Sequence, residues 1–127
     1  MDAIAALALH SPETREFWDA LSTGRFLVRH CNACGKAHWY PRAVCPFCCS
    51  TDTAWRDGAG RGTIYSYSVM RRAKTPYATA FVTLDEGPTM MTNLVDGDFN
   101  AIKIGQAVTL AITRREDGLP RPTFRPV

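Results

Sequence analysis

The sequence predicts a mainly β protein in three parts: a short N-terminal helix, a metal-closed ribbon and a small C-terminal barrel. Three observations predict it. Four cysteines stand as two C-x2-C pairs, Cys31/Cys34 and Cys45/Cys48, with ten residues between the pairs. Beyond residue 60, apolar and polar side chains alternate with the two-residue period of half-buried strands. Ahead of both, residues 11–23 carry helical spacing instead. The expected boundaries are 1–24 for the helical segment, 25–58 for the ribbon and 59–127 for the barrel.

The helix comes first. Ser11 suits the N-cap, and Pro12 suits the first helical position, where no amide hydrogen bond is lost. Phe17, Trp18 and Leu21 then share one face, and Gly24 ends the helix. Two bulky rings on so short a helix need cover. The chain's own ribbon or barrel supplies it, or else Phe17 and Trp18 dock on a partner. The preceding stretch from Ile4 to Leu9 is apolar, but it lacks the basic start and long apolar run of a signal peptide. No run approaches the roughly 18–20 apolar residues that span a bilayer. The expected location is the cytoplasm, away from membranes.

The ribbon segment holds all five cysteines. A C-x2-C pair curls into a knuckle that turns both sulfurs towards one ion, and two facing knuckles complete a tetrahedral S4 shell that selects zinc or iron. Gly35 supplies the left-handed turn after the first knuckle. Disulfides are the competing reading, and a cytoplasmic setting weighs against them. Cys49 is expected to be a bystander at a position where glycine would be easier. His30 and His38 lie near, yet four thiolates already fill the shell. Such a shell leaves no open position for water or substrate, so the expected Zn2+ is structural. It closes a rubredoxin-like ribbon of about 30 residues that is too small to fold on apolar burial alone.

The barrel segment shows strand patterns at Thr63–Val69, Ala78–Leu84, Met90–Val95 and around Val108–Thr113, with the turn Asp85-Glu86-Gly87-Pro88 between the second and third. Several short strands at this size favour a small closed barrel of the OB type. Gly58-Ala59-Gly60-Arg61-Gly62 is expected to be a linker. The tail Pro120–Val127, with three prolines, is expected to be extended and irregular.

No catalytic constellation emerges. The sequence has no G-x-S-x-G, H-E-x-x-H or Walker-type loop, and the carboxylates of Asp85-Glu86 and Asp96-Gly97-Asp98 fall in turns. The formal net charge of +3 is low for a nucleic-acid binder, and only Arg71, Arg72 and Lys74, with the pair Arg114 and Arg115, form basic groups.

The order of elements then resembles a known family. Phe17-Trp18 is followed by Gly24-Arg25-Phe26-Leu27, then by Cys31-x2-Cys34-Gly35, Pro41-Arg42 and Cys45-Pro46-x-Cys48. Trp55 comes next, with Gly60-Arg61-Gly62-Thr63-Ile64-Tyr65-Ser66, Leu84-Asp85-Glu86-Gly87, Ile104-Gly105-Gln106-Ala107-Val108 and Phe124-Arg125-Pro126. This is similar to the acyl-CoA-associated zinc-ribbon/OB-fold proteins, over nearly the whole chain. Cys49 departs from the family's usual glycine, and the fused hydratase-like domain of some relatives is not expected. The resemblance implies an accessory subunit, not an enzyme by itself. It would serve a thiolase-like partner (a thiolase, aldolase or acyltransferase acting on acyl-CoA) in a hetero-oligomer, with a heterotetramer as the expected assembly. The CoA thioester would be the substrate of the complex. Arg71, Arg72 and Lys74 are the candidates for contact with CoA phosphates or an acidic partner surface.

The competing reading is a single-stranded nucleic-acid binder. Tyr65 and Tyr67 would form its stacking platform if they share an outward strand face. Alternation equally allows that face, with Val69, to turn into the barrel.

Overall fold

The computed structural model describes residues 3–39 and 42–127. Pro41, part of the Pro41-Arg42 motif, lies outside them. The chain divides into two compact units, Met1–Ala59 with Thr113–Arg121, and Gly60–Ile112 with Pro122–Val127.

The first unit begins with α1 (Ala3–His10), which buries none of its side chains. The expected helix over 11–23 forms in two pieces, a 3-10 turn at Pro12–Thr14 and α2 at Arg15–Ser22. Ser11 makes no side-chain cap; its carbonyl instead accepts from the Thr14 hydroxyl at 2.7 Å. α2 buries Phe17, Ala20 and Leu21, residues spaced three and four apart. Behind it lies a three-stranded antiparallel sheet in the order β2 (Ala37–His38), β1 (Leu27–Cys31), β3 (Thr53–Asp57). Phe17 is only 3% exposed. Its ring meets Trp18 at 5.1 Å, Trp39 at 5.2 Å, Phe26 at 6.1 Å and Trp55 at 6.4 Å. Its cover is therefore the chain's own ribbon, and it is core rather than a free docking residue. Trp18 is half-buried. The Arg29 guanidinium sits 4.9 Å over the Trp55 ring and closes the cluster with a cation–π contact.

The second unit holds most of a closed barrel in the order β4 (Arg61–Met70), β5 (Tyr77–Leu84), β6 (Thr89–Leu94), β8 (Pro120–Pro126), β7 (Ala107–Arg114). Ile64, Val82, Met90, Val108 and Phe124 fill its interior. Gly62 sits between two strands, paired with Leu84 and Val108. A Cβ there would stand 2.5 Å from the Thr83 carbonyl oxygen, so only glycine allows this approach. Two expectations are corrected. Arg61 and Gly62 belong to β4, which shortens the linker to residues 58–60. The proline-rich tail is strand β8, not irregular chain. Proline removes a donor but keeps its acceptor, and carbonyls of this strand do find donors. The Phe124 carbonyl accepts from the Val95 amide at 2.8 Å, and the Pro122 carbonyl accepts from the Thr92 hydroxyl at 2.6 Å. Among the described residues no helix is long and apolar enough to cross a membrane.

Candidate metal centre

Strand β1 ends by delivering Cys31, and the chain turns at once. The Cys31 amide donates to the Lys36 carbonyl at 3.0 Å, and the Gly35 amide donates back to the Cys31 carbonyl at 2.9 Å. Fourteen positions later the same pattern recurs. The Cys45 amide donates to Ser50 at 2.8 Å, and the Cys49 amide donates to Cys45 at 3.0 Å. Each knuckle closes on a residue with positive φ, Gly35 at 77° and Cys49 at 65°. Cys49 thus occupies the left-handed position that glycine fills in the first knuckle, at a cost of about 1–2 kcal/mol. Its side chain is exposed and takes no part in the sulfur cluster.

The sulfurs of Cys31, Cys34, Cys45 and Cys48 lie within 4.8 Å of one another. Cys31 and Cys48 approach to 3.5 Å, and Cys34 and Cys45 to 3.7 Å. Zinc–sulfur bonds of about 2.3 Å give a tetrahedron with edges of about 3.8 Å, whereas a disulfide needs about 2.05 Å. The four thiols therefore fit one tetrahedral ion, and all five cysteines are free of disulfides. Backbone amides also point at the sulfurs, Cys34 to Cys31 Sγ at 3.5 Å and Phe47 to Cys45 Sγ at 3.4 Å, as thiolates require. Neither His30 nor His38 joins the cluster. His38 is buried, which holds its imidazole below the usual histidine range against a raising backbone contact at Arg42; Arg29, His30 and Arg42 lower it further.

The electrostatics of the four thiols suit a cation. Burial opposes ionisation of Cys45, but the amides of Cys48 and Phe47 and the neighbouring thiols outweigh it and bring Cys45 down to about 7. At Cys48 the Ser50 amide favours the thiolate. The thiol of Cys31, burial, and the thiols of Cys45 and Cys34 together push it up to about 12. Without a cation the cluster cannot carry four adjacent negative charges; a divalent ion removes that conflict.

The other candidates are placed differently. Arg71, Arg72 and Lys74 are exposed on the β4–β5 loop of the barrel unit. Tyr65 and Tyr67 do not form one platform. A bulge lies between Ile64 and Ser66, so Ile64 pairs with Val82 while Ser66 pairs with Phe81 and Tyr67 with buried Ala80. Tyr65 faces out. Tyr67 lies on the side turned to the barrel, its hydroxyl donating to the Ile102 carbonyl at 3.1 Å. Sequence reading passed over Phe81 and Met91, exposed apolar residues at outward strand positions. Their alternation with buried Val82 and Met90 carried the signal.

Comparison with known proteins agrees with this architecture. Residues 18–54 match the family described as the ChsH2 rubredoxin-like zinc ribbon domain, and residues 55–113 match the ChsH2 C-terminal OB-fold domain. A DUF35 domain-containing scaffold protein of Methanothermobacter thermautotrophicus is 32% identical over 102 residues, which cover 69% of this chain and 72% of that protein. A probable enoyl-CoA hydratase alpha subunit of Thermomonospora curvata is 35% identical over 116 residues. The match takes in 87% of this chain but only 36% of that relative, so the chain spans about a third of its length. Among solved structures, the "Ltp2-ChsH2(DUF35) aldolase" superposes with a TM-score of 0.77 at 32% identity, covering 90% of this chain and 94% of that one. The chain belongs to the DUF35 family of ChsH2-type proteins, in which a rubredoxin-like zinc ribbon is joined to an OB-fold barrel.

Proposed function

We propose that this chain is a non-catalytic, zinc-binding accessory subunit of a thiolase-fold enzyme (a thiolase, aldolase or acyltransferase) that acts on acyl-CoA in the cytoplasm. The observation that carries the reading is the likeness, over 90% of this chain, to a chain solved as an Ltp2-ChsH2(DUF35) aldolase. The chemistry of the chain supports it. A four-thiolate shell has no exchangeable position, so the metal holds the ribbon and performs no reaction. The exposed Arg71, Arg72 and Lys74 suit an anionic group, a CoA phosphate or an acidic partner edge. The proposed assembly is a heterotetramer, two copies of this chain on a dimeric catalytic subunit.

Affinity purification of the tagged chain from its native cells tests the reading. The expected result is stoichiometric recovery of a thiolase-fold protein, identified by mass spectrometry, and acyl-CoA cleavage or condensation by the complex. Recovery of the chain alone or with nucleic acid overturns it. The basic loop has its own test. Arg71→Glu with Arg72→Glu should weaken CoA or acyl-CoA binding by the complex about tenfold or more, since two charges are reversed at an anion site. Unchanged CoA affinity and unchanged complex formation remove that loop from the site.

A further inference from the structure

The outward side of β4, β5 and β6 is unusual for a sheet face in water. Strand register places twelve residues there, from the Thr63–Thr83–Thr89 row to the Met70–Tyr77 pair, and none is charged. At the 21% of charged residues in the whole chain, two or three would be expected. The apolar members are large and exposed: Tyr65 at 67%, Phe81 at 45% and Met91 at 63%, with Met70 and Tyr77 beyond. Phe81 pairs directly with Met91, and the bulge sets Tyr65 beside them, so the three form one patch across three strands. The remaining positions are Ser, Thr and Asn. Charges reappear only at the ends, as the Arg61–Asp85 ion pair and as the loop with Arg71, Arg72 and Lys74.

We infer that this face is where the catalytic partner subunit seats, an inference that rests on the accessory-subunit reading above. Depletion of charge with enrichment of Tyr, Phe and Met marks the core of a protein–protein interface, and charge at its ends supplies the rim. The same absence of charge selects the occupant. A nucleic acid needs cations to meet its phosphates, and none stands on this face. A lipid surface needs a continuous apolar layer, and hydroxyl and amide side chains interrupt this one. A folded protein with an uncharged apolar face, and acidic groups opposite the basic loop, complements it.

The test is the double variant Phe81→Lys with Met91→Glu, made in the full chain. The two new charges oppose each other across the strands and so preserve sheet pairing and net charge. Zinc content, far-UV circular dichroism and melting temperature should stay at wild-type values. The affinity for the thiolase-fold subunit recovered with the wild type should fall at least 100-fold. Equal retention of that subunit by both proteins overturns the inference and leaves the accessory-subunit reading standing. If the wild type retains no thiolase-fold subunit, that reading falls and takes this inference with it. Concentration-dependent dimers of the isolated wild type, lost in the double variant with partner binding unchanged, would assign the face to a second copy and also overturn the inference.

Discussion

Cys45→Ser should empty the metal centre and unfold the ribbon while the barrel keeps its β structure. Cys45 is buried, and its sulfur accepts the Phe47 amide while touching Cys34 Sγ. Structural zinc contributes on the order of 10–16 kcal/mol to comparable folds, as much as or more than the whole stability of a small domain. Losing one of four thiolates forfeits much of that and leaves a buried hydroxyl in its place. The readout is unusually clean. The chain's three tryptophans, Trp18, Trp39 and Trp55, all belong to the first unit. Their emission should shift to the red in Cys45→Ser, and equally when a strong chelator removes zinc from the wild type. Acid should act in the same direction. Because Cys48 free of metal holds its proton up to about 12, zinc must displace that proton on binding at neutral pH. Zinc affinity therefore rises with pH and falls as pH drops below the Cys45 value of about 7. A variant with one zinc per chain and unchanged tryptophan emission would refute the structural role of the metal.

The second large effect belongs to the other unit. Phe124→Ala should destabilise the barrel by about 3–5 kcal/mol, the usual cost of emptying a fully buried phenylalanine site. The side chain is 0% exposed, and the residue stands where β8 meets β6, paired with Leu94 while its carbonyl accepts the Val95 amide. For a unit of this size that loss lowers the melting temperature by roughly 15 °C or more. The change should appear in far-UV circular dichroism and leave zinc content untouched. Phe124→Leu, which refills most of the volume, should recover the greater part of the loss. A shift of only a degree or two in Phe124→Ala would mean that the barrel closes without this ring.

These two residues also mark what the sequence could and could not reveal. The cysteine pairs are legible because ligand spacing is local chemistry: two residues between thiols fix a knuckle wherever the chain goes. Strands β4 to β7 are legible because burial on one side imposes a period of two. β8 is not, since proline reads as an interruption in one dimension. In the fold, the carbonyls of Pro122 and Phe124 find donors in Thr92 and Val95. The position of Phe17 was open for a related reason. A ring on a helix face announces that something covers it, but Trp39 and Trp55, which do so, lie more than twenty residues away. The β4 bulge escaped notice because no residue type announces it. It appears only as a conflict between Tyr65, which faces out, and the inward pairing of Tyr67 with Ala80.

That bulge gives β4 an unusual relation to chain length. The strand carries one residue more than its partner needs, and side chains beyond it keep their inward or outward aspect only because the extra residue is absorbed. Removing Tyr65 would leave Ile64 opposite Val82 and Ser66 opposite Phe81, as they are now. A deletion further along the same strand could be absorbed only by dissolving the bulge, and the side chains between the two sites would change sides. The middle of a barrel strand, normally the place least tolerant of a missing residue, here contains a two-residue site, Tyr65-Ser66, where a shorter chain still closes the same sheet.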